Sequence, residues 1–405
     1  MRILLATYFI SPHVGGVWQI MLQLKKRLEY AGHQVDLFAS GPDHQSFHMP
    51  CSGRTLYKEL IRPLLVTKIN AALYPDLAYD PWIYHFELEN LQMELAAAYF
   101  GVDQYDVIHT QDIFAARAFS RVKSARAPLI ASLHGSVAEE YKLHFIQVGE
   151  NLTTSMKWAY HAMYENIGAV SADVTTTSNY WLKHKLVNEF SVPDEKIRVF
   201  PYGYDVEGFI QKMMVPSSLT RPPGLKVIFF AGRLVAIKGV HVLLSALAEL
   251  MKWRQDWVLW IAGEGPEEEG LRQQSAALGL EHVVQFLGSR DDVPYLLSLA
   301  DICVTPSLLD NQPLSVIEAQ IAGKAVVVSN AAGLPEMVEQ GVTGIIFPSG
   351  DIHSLCYYLN ELLGNDIMRQ ALGNQARQWA VQHWSYELMF HRFLELYYTE
   401  IARLH

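Results

Sequence analysis

Cysteine is scarce in this chain: Cys51, Cys303 and Cys356 are the three among 405 residues, and none belongs to a Cys-x-x-Cys pair. That usage implies neither a disulfide framework nor a cysteine zinc site, and it suits a reducing, cytoplasmic setting. Charge is sparse as well, at 18% of residues, with a net value of -10. A negative field repels nucleic-acid backbones unless cations gather locally, so general nucleic-acid binding is disfavoured. The apolar run at Arg2 to Ile10 is too short to span a bilayer and has no small-residue cleavage site after it, so it is expected to be a first strand. No Gly-x4-Gly-Lys-Ser/Thr segment occurs, which removes a Walker-type phosphate loop. No Asp-x-Asp triplet occurs either, so no divalent metal is expected to bridge the protein to a diphosphate. No repeat of solenoid period is visible.

What remains is a chain with half its residues apolar and 11% aromatic, the composition of a folded protein with a sizeable core. Its length favours two domains. Short apolar runs ending in Gly, Ser, His or Asp alternate with segments of helical period, the pattern of a parallel sheet covered on both faces. In the first half the expected strands are Arg2 to Tyr8, Gln34 to Phe38, Asp106 to His109, Pro128 to Leu133, Val174 to Thr177 and Ile197 to Phe200, with a helix from about Val17 to Ala31. In the second half they are Lys226 to Ala231, Trp257 to Ala262, Val283 to Leu287, Ile302 to Thr305, Ala325 to Val328 and Gly344 to Phe347. Pro216 to Gly224 cannot continue a helix or a central strand. The boundary is therefore set there: residues 1–215 form one doubly wound domain, 216–384 a second, and about 385–405 complete the first.

Ligands of open parallel sheets bind outside the carboxyl ends of the strands, so the informative residues should follow the strands. In Phe230-Ala-Gly-Arg-Leu-Val-Ala-Ile-Lys-Gly239 a strand runs into a glycine turn, and Arg233 and Lys238 precede a helix. An arginine fork, an ammonium and free N–H groups at a helix start would make a diphosphate cradle. The plainer reading is two solvated cations. A second segment, Asp301 to Gln320, reads as a strand, a polar loop holding Asp310, and a helix opened near Pro313. Glu318, in that helix, would grip a ribose diol or simply sit favourably near the helix dipole.

The combination of Gly-Arg-Leu…Lys-Gly with an acidic residue, Asp310, eight positions before Glu318 resembles the retaining glycosyltransferases of family 4. The resemblance runs over nearly the whole chain, through Gly15-Gly16, His134-Gly135 and Leu334-Pro-Glu336. It implies a GT-B fold, with two Rossmann-like domains facing across a cleft and a C-terminal helix crossing back to the first. It also implies metal-free transfer of a sugar from a UDP- or GDP-linked donor to a glycan, lipid-linked or small-molecule hydroxyl, with retention of configuration. Arg233 and Lys238 match the diphosphate-binding pair, Glu318 the ribose-binding glutamate, and His134 a histidine by the reacting centre. Asp310 stands where the family usually has a glutamate that contacts the donor sugar. Gly15, Gly16, Arg290, Asn311, Gln312, Leu314 and Ser315 complete the expected donor-binding set. Two further departures are Tyr202, where an asparagine is common, and Ala331-Ala-Gly333, which lacks one glycine of a usual pair. A related epimerase or phosphorylase and a non-catalytic sugar-nucleotide binder remain the alternative classes.

Two other stretches call for a reading. Ile261-Ala-Gly-Glu-Gly-Pro-Glu-Glu-Glu-Gly270 has a Gly-x-Gly after a strand, but three glutamates would repel a pyrophosphate, so it is expected to be a helix start with Pro266 at the first position. Cys51 to Tyr84 is long and aromatic, with Tyr74, Tyr79, Trp82 and Tyr84. There Arg54, Lys58, Arg62 and Lys68 alternate with leucines and isoleucines, a composition that fits an acceptor lid, plain packing or peripheral contact with an anionic membrane. Pro63 is expected to interrupt any single helix there.

Overall fold

The computed structural model describes residues 1–12, 16–70, 72, 73, 75 and 80–404. The chain divides into two compact units, Met1–Phe200 with Phe390–His405, and Pro201–Met389.

The first unit is built on a sheet of β1 (Arg2–Ile10), β2 (Gln34–Ser40), β3 (Ser46–Met49), β4 (Arg54–Tyr57), β5 (Val107–Thr110), β6 (Leu129–Leu133), β7 (Val174–Thr177) and β8 (Ile197–Val199), in the order β4-β3-β2-β1-β5-β6-β7-β8. From β2 to β8 the pairs are parallel, whereas β3 runs antiparallel to both β2 and β4. Ile3, Leu4, Leu5 and Ala6 of β1 are all fully buried, as a central strand covered on both faces requires. The β3–β4 hairpin was not expected from the sequence; its strands are only four residues long.

Around this sheet lie α1 (Gly16–Tyr30), α2 (Lys58–Val66), α3 (Pro81–Phe100), α4 (Ile113–Ser120), α5 (Val137–Gln147), α6 (Met156–Ser171) and α7 (Tyr180–Asn188). Short polar side chains start several of them: Asp112, Ser136, Ser155 and Asn179 each accept from a backbone N–H of the first turn, a cap worth about 1 kcal/mol. Pro63 does not interrupt the helix at Lys58 to Val66, contrary to expectation. The ring removes one N–H from a helix of nine residues. Ile61 and Leu65 are buried, and the Lys58 ammonium pairs with Glu89 on α3 at 2.5 Å, so packing holds the turn that propensity would open. Tyr74 and Tyr79 lie outside the described residues. Among the described residues no helix is long and apolar enough to cross a membrane.

The second unit has a six-stranded, wholly parallel sheet of β9 (Lys226–Ala231), β10 (Trp257–Ala262), β11 (Val284–Gly288), β12 (Ile302–Thr305), β13 (Ala325–Ser329) and β14 (Ile345–Phe347), in the order β11-β10-β9-β12-β13-β14. This is the dinucleotide-fold order, with its reversal between β9 and β12. Its helices are α8 (Val206–Met213), α9 (Val240–Leu250), α10 (Glu268–Ala277), α11 (Val293–Leu299), α12 (Leu314–Ile321), α13 (Ile352–Gly364) and α14 (Asp366–His383). Alternate side chains of β9 feed two cores: Ile228 and Phe230 join Trp257 and the α9 leucines, while Val227 and Phe229 join Trp260 and Val316. Pro201 to Val215, ahead of the Pro216–Gly224 stretch, packs with this unit, because Phe209 is buried in the second of those cores. The last helix, α15 (Tyr386–Leu404), starts with residues of the second unit and ends with residues of the first.

Candidate functional site

The strand-order reversal of the second unit lies between β9 and β12, and the loops after these two strands carry Lys238 and Asp310. They are brought together at Gly239, which caps α9 with a φ of +67°. A Cβ there would fall 2.0 Å from the Pro306 carbonyl oxygen, so only glycine permits the approach. The Leu308 N–H donates to the Ile237 carbonyl at 2.7 Å, and the Lys238 ammonium donates to Asp310 Oδ2 at 2.6 Å. Ser307 Oγ donates to the same Asp310 oxygen at 2.9 Å, and the Asp310 carbonyl accepts from Gly333 N–H at 3.0 Å. Arg233 is exposed, and its guanidinium makes no hydrogen bond or ion pair with the described residues. One cation is thus held by a carboxylate and the other stands open, beside the start of α9.

The Gly-Glu-Gly segment after β10 supports this arrangement from behind. A Cβ on Gly263 would lie 1.9 Å from the Gly232 carbonyl oxygen, so the glycine lets the β10 loop pack on the loop of Arg233. The helix that follows, α10, begins at Glu268. Pro266 therefore sits in the preceding turn and is not the first helical residue; Glu267 N–H already bonds the Leu234 carbonyl, which fixes where the turn closes.

Glu318 lies in the second turn of α12 and retains partial exposure. Burial pushes its carboxyl up to about 7, opposed by a hydrogen bond from Tyr204 and by the charge of Lys212. The Tyr204 hydroxyl donates to Glu318 Oε1 at 2.5 Å. Asn311 and Gln312 are buried at the head of the same helix, where Leu314 and Ser315 form its first turn. Gln312 Oε1 accepts from Tyr202 N–H at 3.2 Å, while its amide Nε2 is buried without a partner. The structure does not bring Arg290 into this group by any contact: it follows β11, which β10 separates from β9, and its Nε donates to Asp292 at 2.7 Å.

In the first unit the corresponding reversal lies between β1 and β5. Asp112, capping α4, accepts from Thr7 Oγ1 at 2.8 Å and from the N–H groups of Tyr8 and Ala115 at 2.7 Å, tying the two strand ends together. His134, after β6, has Nε2 2.9 Å from Gln111 Oε1. Burial lowers its pKa to about 4, so the imidazole is neutral at physiological pH and Nε2 carries the proton donated to the amide oxygen. The Gln111 amide nitrogen is buried and without a partner. His109 is satisfied at both nitrogens, by Tyr397 at 2.6 Å and Ser132 at 2.7 Å, as a packing residue would be. Gly16 opens α1; Gly15 lies outside the described residues.

Sequence reasoning missed Tyr204 and Gln111. Tyr204 had no local signal, since its partner lies 114 positions away. Gln111 could have been flagged as a polar residue directly after a strand.

Two family models match the chain in succession, "Glycosyltransferase Family 4" over residues 14–207 and "Glycosyl transferases group 1" over 215–379. An uncharacterized glycosyltransferase of Methanocaldococcus jannaschii is 27% identical over 400 residues, covering 96% of this chain and 95% of the relative. MMP alpha-(1->4)-mannosyltransferase of Mycolicibacterium hassiacum is 24% identical, covering 100% and 99%. Among solved structures, sucrose-phosphate synthase of Thermosynechococcus elongatus superposes with a TM-score of 0.73 at 20% identity, over 99% of both chains. Anabaena HepE in complex with UDP-glucose gives 0.69 at 20% identity, over 98% of this chain and 100% of that one. With two doubly wound units, a cation cradle at the reversal of the second, and both models matched in order, the chain belongs to the GT-B glycosyltransferases of group 1 and family 4 and is a glycosyltransferase.

Proposed function

We propose that this enzyme transfers a sugar from a nucleoside-diphosphate donor to an acceptor hydroxyl, with retention of configuration and without a metal ion. The observation that carries the reading is the pairing of Lys238 with Asp310 beside the open Arg233 at the strand-order reversal. As the bond between the anomeric carbon and the diphosphate oxygen breaks, negative charge grows on the diphosphate. Arg233 and Lys238 donate to it, together with free N–H groups at the start of α9, and so stabilise the transition state more than the bound donor. Asp310, released from Lys238, accepts from a hydroxyl of the donor sugar. The acceptor hydroxyl attacks the anomeric carbon on the face the diphosphate leaves, and its proton passes to the departing phosphate oxygen. Glu318 holds the ribose, and Gln312, with its unpartnered buried amide, lies beside the same loop.

Both bases enter the test. A relative from Mycolicibacterium smegmatis, 29% identical over 56% of this chain, is named as GDP-mannose-dependent, and the Anabaena structures hold UDP or UDP-glucose. Thermal shift and nucleotide release with UDP- and GDP-sugars, with and without EDTA, compare wild type with Lys238→Ala. Stabilisation by one donor that survives EDTA and disappears in the variant supports the reading; no stabilisation by any donor in folded protein sinks it. Retention is read separately, from the anomeric coupling of the product by NMR.

The acceptor remains a glycan, a lipid-linked sugar or a small molecule, and the outer face of α2 favours a lipid surface nearby. Leu60 and Leu64 are each 62% exposed, with Arg62 and Lys68 also exposed around them. Arg54 and Lys58 do not contribute, since Arg54 bonds the Tyr99 and Phe100 carbonyls and Lys58 is buried against Glu89. Flotation with anionic vesicles should be salt-sensitive and weakened by Leu60→Ser with Leu64→Ser; absence of flotation removes the membrane contact.

A further inference from the structure

Tyr204 is fixed before its side chain is considered. Its N–H donates to the Trp384 carbonyl at 2.9 Å, its backbone bridges Ser385, and its ring meets the Phe209 ring edge-on at 5.6 Å. From that frame the hydroxyl reaches Glu318 Oε1 at 2.5 Å. Burial first, and the neighbouring carboxylate second, raise the Tyr204 pKa, so the phenol keeps its proton and is the donor. The other carboxylate oxygen, Glu318 Oε2, makes no hydrogen bond with the described residues.

We propose that Tyr204 is a specificity-setting positioning residue, which by donating to Glu318 Oε1 fixes the carboxylate plane and leaves Oε2 the stronger acceptor, so that one ribose hydroxyl weighs more than its neighbour in recognition. The inference rests on the reading of Glu318 as the ribose-binding residue. A carboxylate with both oxygens open accepts one hydrogen bond from each of two vicinal hydroxyls, and the loss of either hydroxyl then costs about the same. With one Oε1 lone pair engaged, the carboxylate plane is set by Tyr204 and Oε2 is the more strongly accepting oxygen. The hydroxyl nearer Oε2 makes the stronger charge-assisted bond and its neighbour the weaker one. A bond of that kind is worth about 1.5–3 kcal/mol, or roughly tenfold to a hundredfold in affinity.

The experiment measures dissociation constants for the nucleoside diphosphate that binds, UDP or GDP, and for its 2′-deoxy and 3′-deoxy forms. In wild type one deoxy form is expected to bind about tenfold or more weakly than the parent and the other within about twofold of it. In Tyr204→Phe the carboxylate is free to turn, and the two penalties converge. Equal penalties in wild type overturn the proposal without any variant. So does a Tyr204→Phe protein in which all three ligands weaken alike and the ratio stays as it was, the result expected of a merely structural tyrosine. If folded wild type binds none of the ligands, the donor reading falls and this inference falls with it, an outcome distinct from binding without discrimination.

Discussion

The two units have the same kind of sheet and differ in what they place at its carboxyl edge. In the second, the reversal carries charge: Lys238 clasped by Asp310, Arg233 open, and Glu318 engaged by a phenol. In the first, it carries a His134 that burial keeps uncharged, a Gln111 with an unspent amide, and an Asp112 whose carboxylate is taken up by three donors from β1 and α4. A charged edge suits a charged ligand, and a neutral hydrogen-bonding edge suits hydroxyls. The asymmetry is what the proposed function would require, with the diphosphate at the second unit and sugar-like hydroxyls at the first.

Lys238→Ala tests the charged side and should have the largest effect. Loss of one preorganised donor to a developing oxyanion costs about 3 kcal/mol, so turnover falls roughly a hundredfold, and the thermal midpoint falls as well because Asp310 loses its partner. A fall of less than about threefold in a steady-state assay would break the comparison, because the second unit would then owe little to its cation.

Buried acids give the next contrast. Burial holds the Glu165 carboxyl of the first unit up at about 8, although Ala138 N–H donates to it. The folded chain therefore keeps a proton that the unfolded chain releases near pH 4, and the stability this contributes is full below that value and lost as pH rises through 8. Glu165→Gln removes the titration. Denaturant melts should show the variant gaining on wild type from pH 5 to pH 8, by a difference on the order of 3 kcal/mol; a parallel pH profile would overturn the assignment.

Gln111→Leu sharpens the neutral side. It removes a buried donor without a partner but also the oxygen that His134 Nε2 donates to, so the two effects oppose and stability should shift by no more than about 1–3 kcal/mol. Turnover should fall about tenfold, with affinity for the free nucleotide unaffected. Nucleotide binding by titration calorimetry together with the rate separates the two; weakened nucleotide binding would contradict the division of labour.

The smallest effect is expected at Ala332. It has a φ of +49°, the left-handed region, in the turn that lacks one of the family's usual glycines. Ala332→Gly relieves that strain but enlarges the freedom of the unfolded chain, so the net gain in unfolding free energy should be under about 1 kcal/mol.

Most of the fold was legible because parallel strands buried on both faces leave unbroken apolar runs, and Lys226 to Ala231 or Trp257 to Ala262 stand out from their surroundings for that reason. The β3–β4 hairpin lacked such a run, and Pro63 misled because an exposed helix of nine residues held by Lys58, Ile61 and Leu65 tolerates what an isolated one would not. In the candidate site, Arg233, Lys238 and Asp310 were visible from type and spacing. Arg290 was placed too generously; the aspartate two positions on was the sign that its charge would be met locally. Tyr204 and Gln111 escaped because their meaning lies in what they touch, or fail to touch, across the folded chain.

Asp310 answers to more than its side chain. Its carbonyl receives the Gly333 N–H, so a movement of Asp310 would be passed to the turn holding Ala332. A methyl in left-handed conformation makes that turn a stiff spring where a glycine would yield. If Asp310 takes the proposed part in donor binding, the Gly333 amide is expected to act as a gauge: its hydrogen-exchange rate should change when the nucleotide sugar is added.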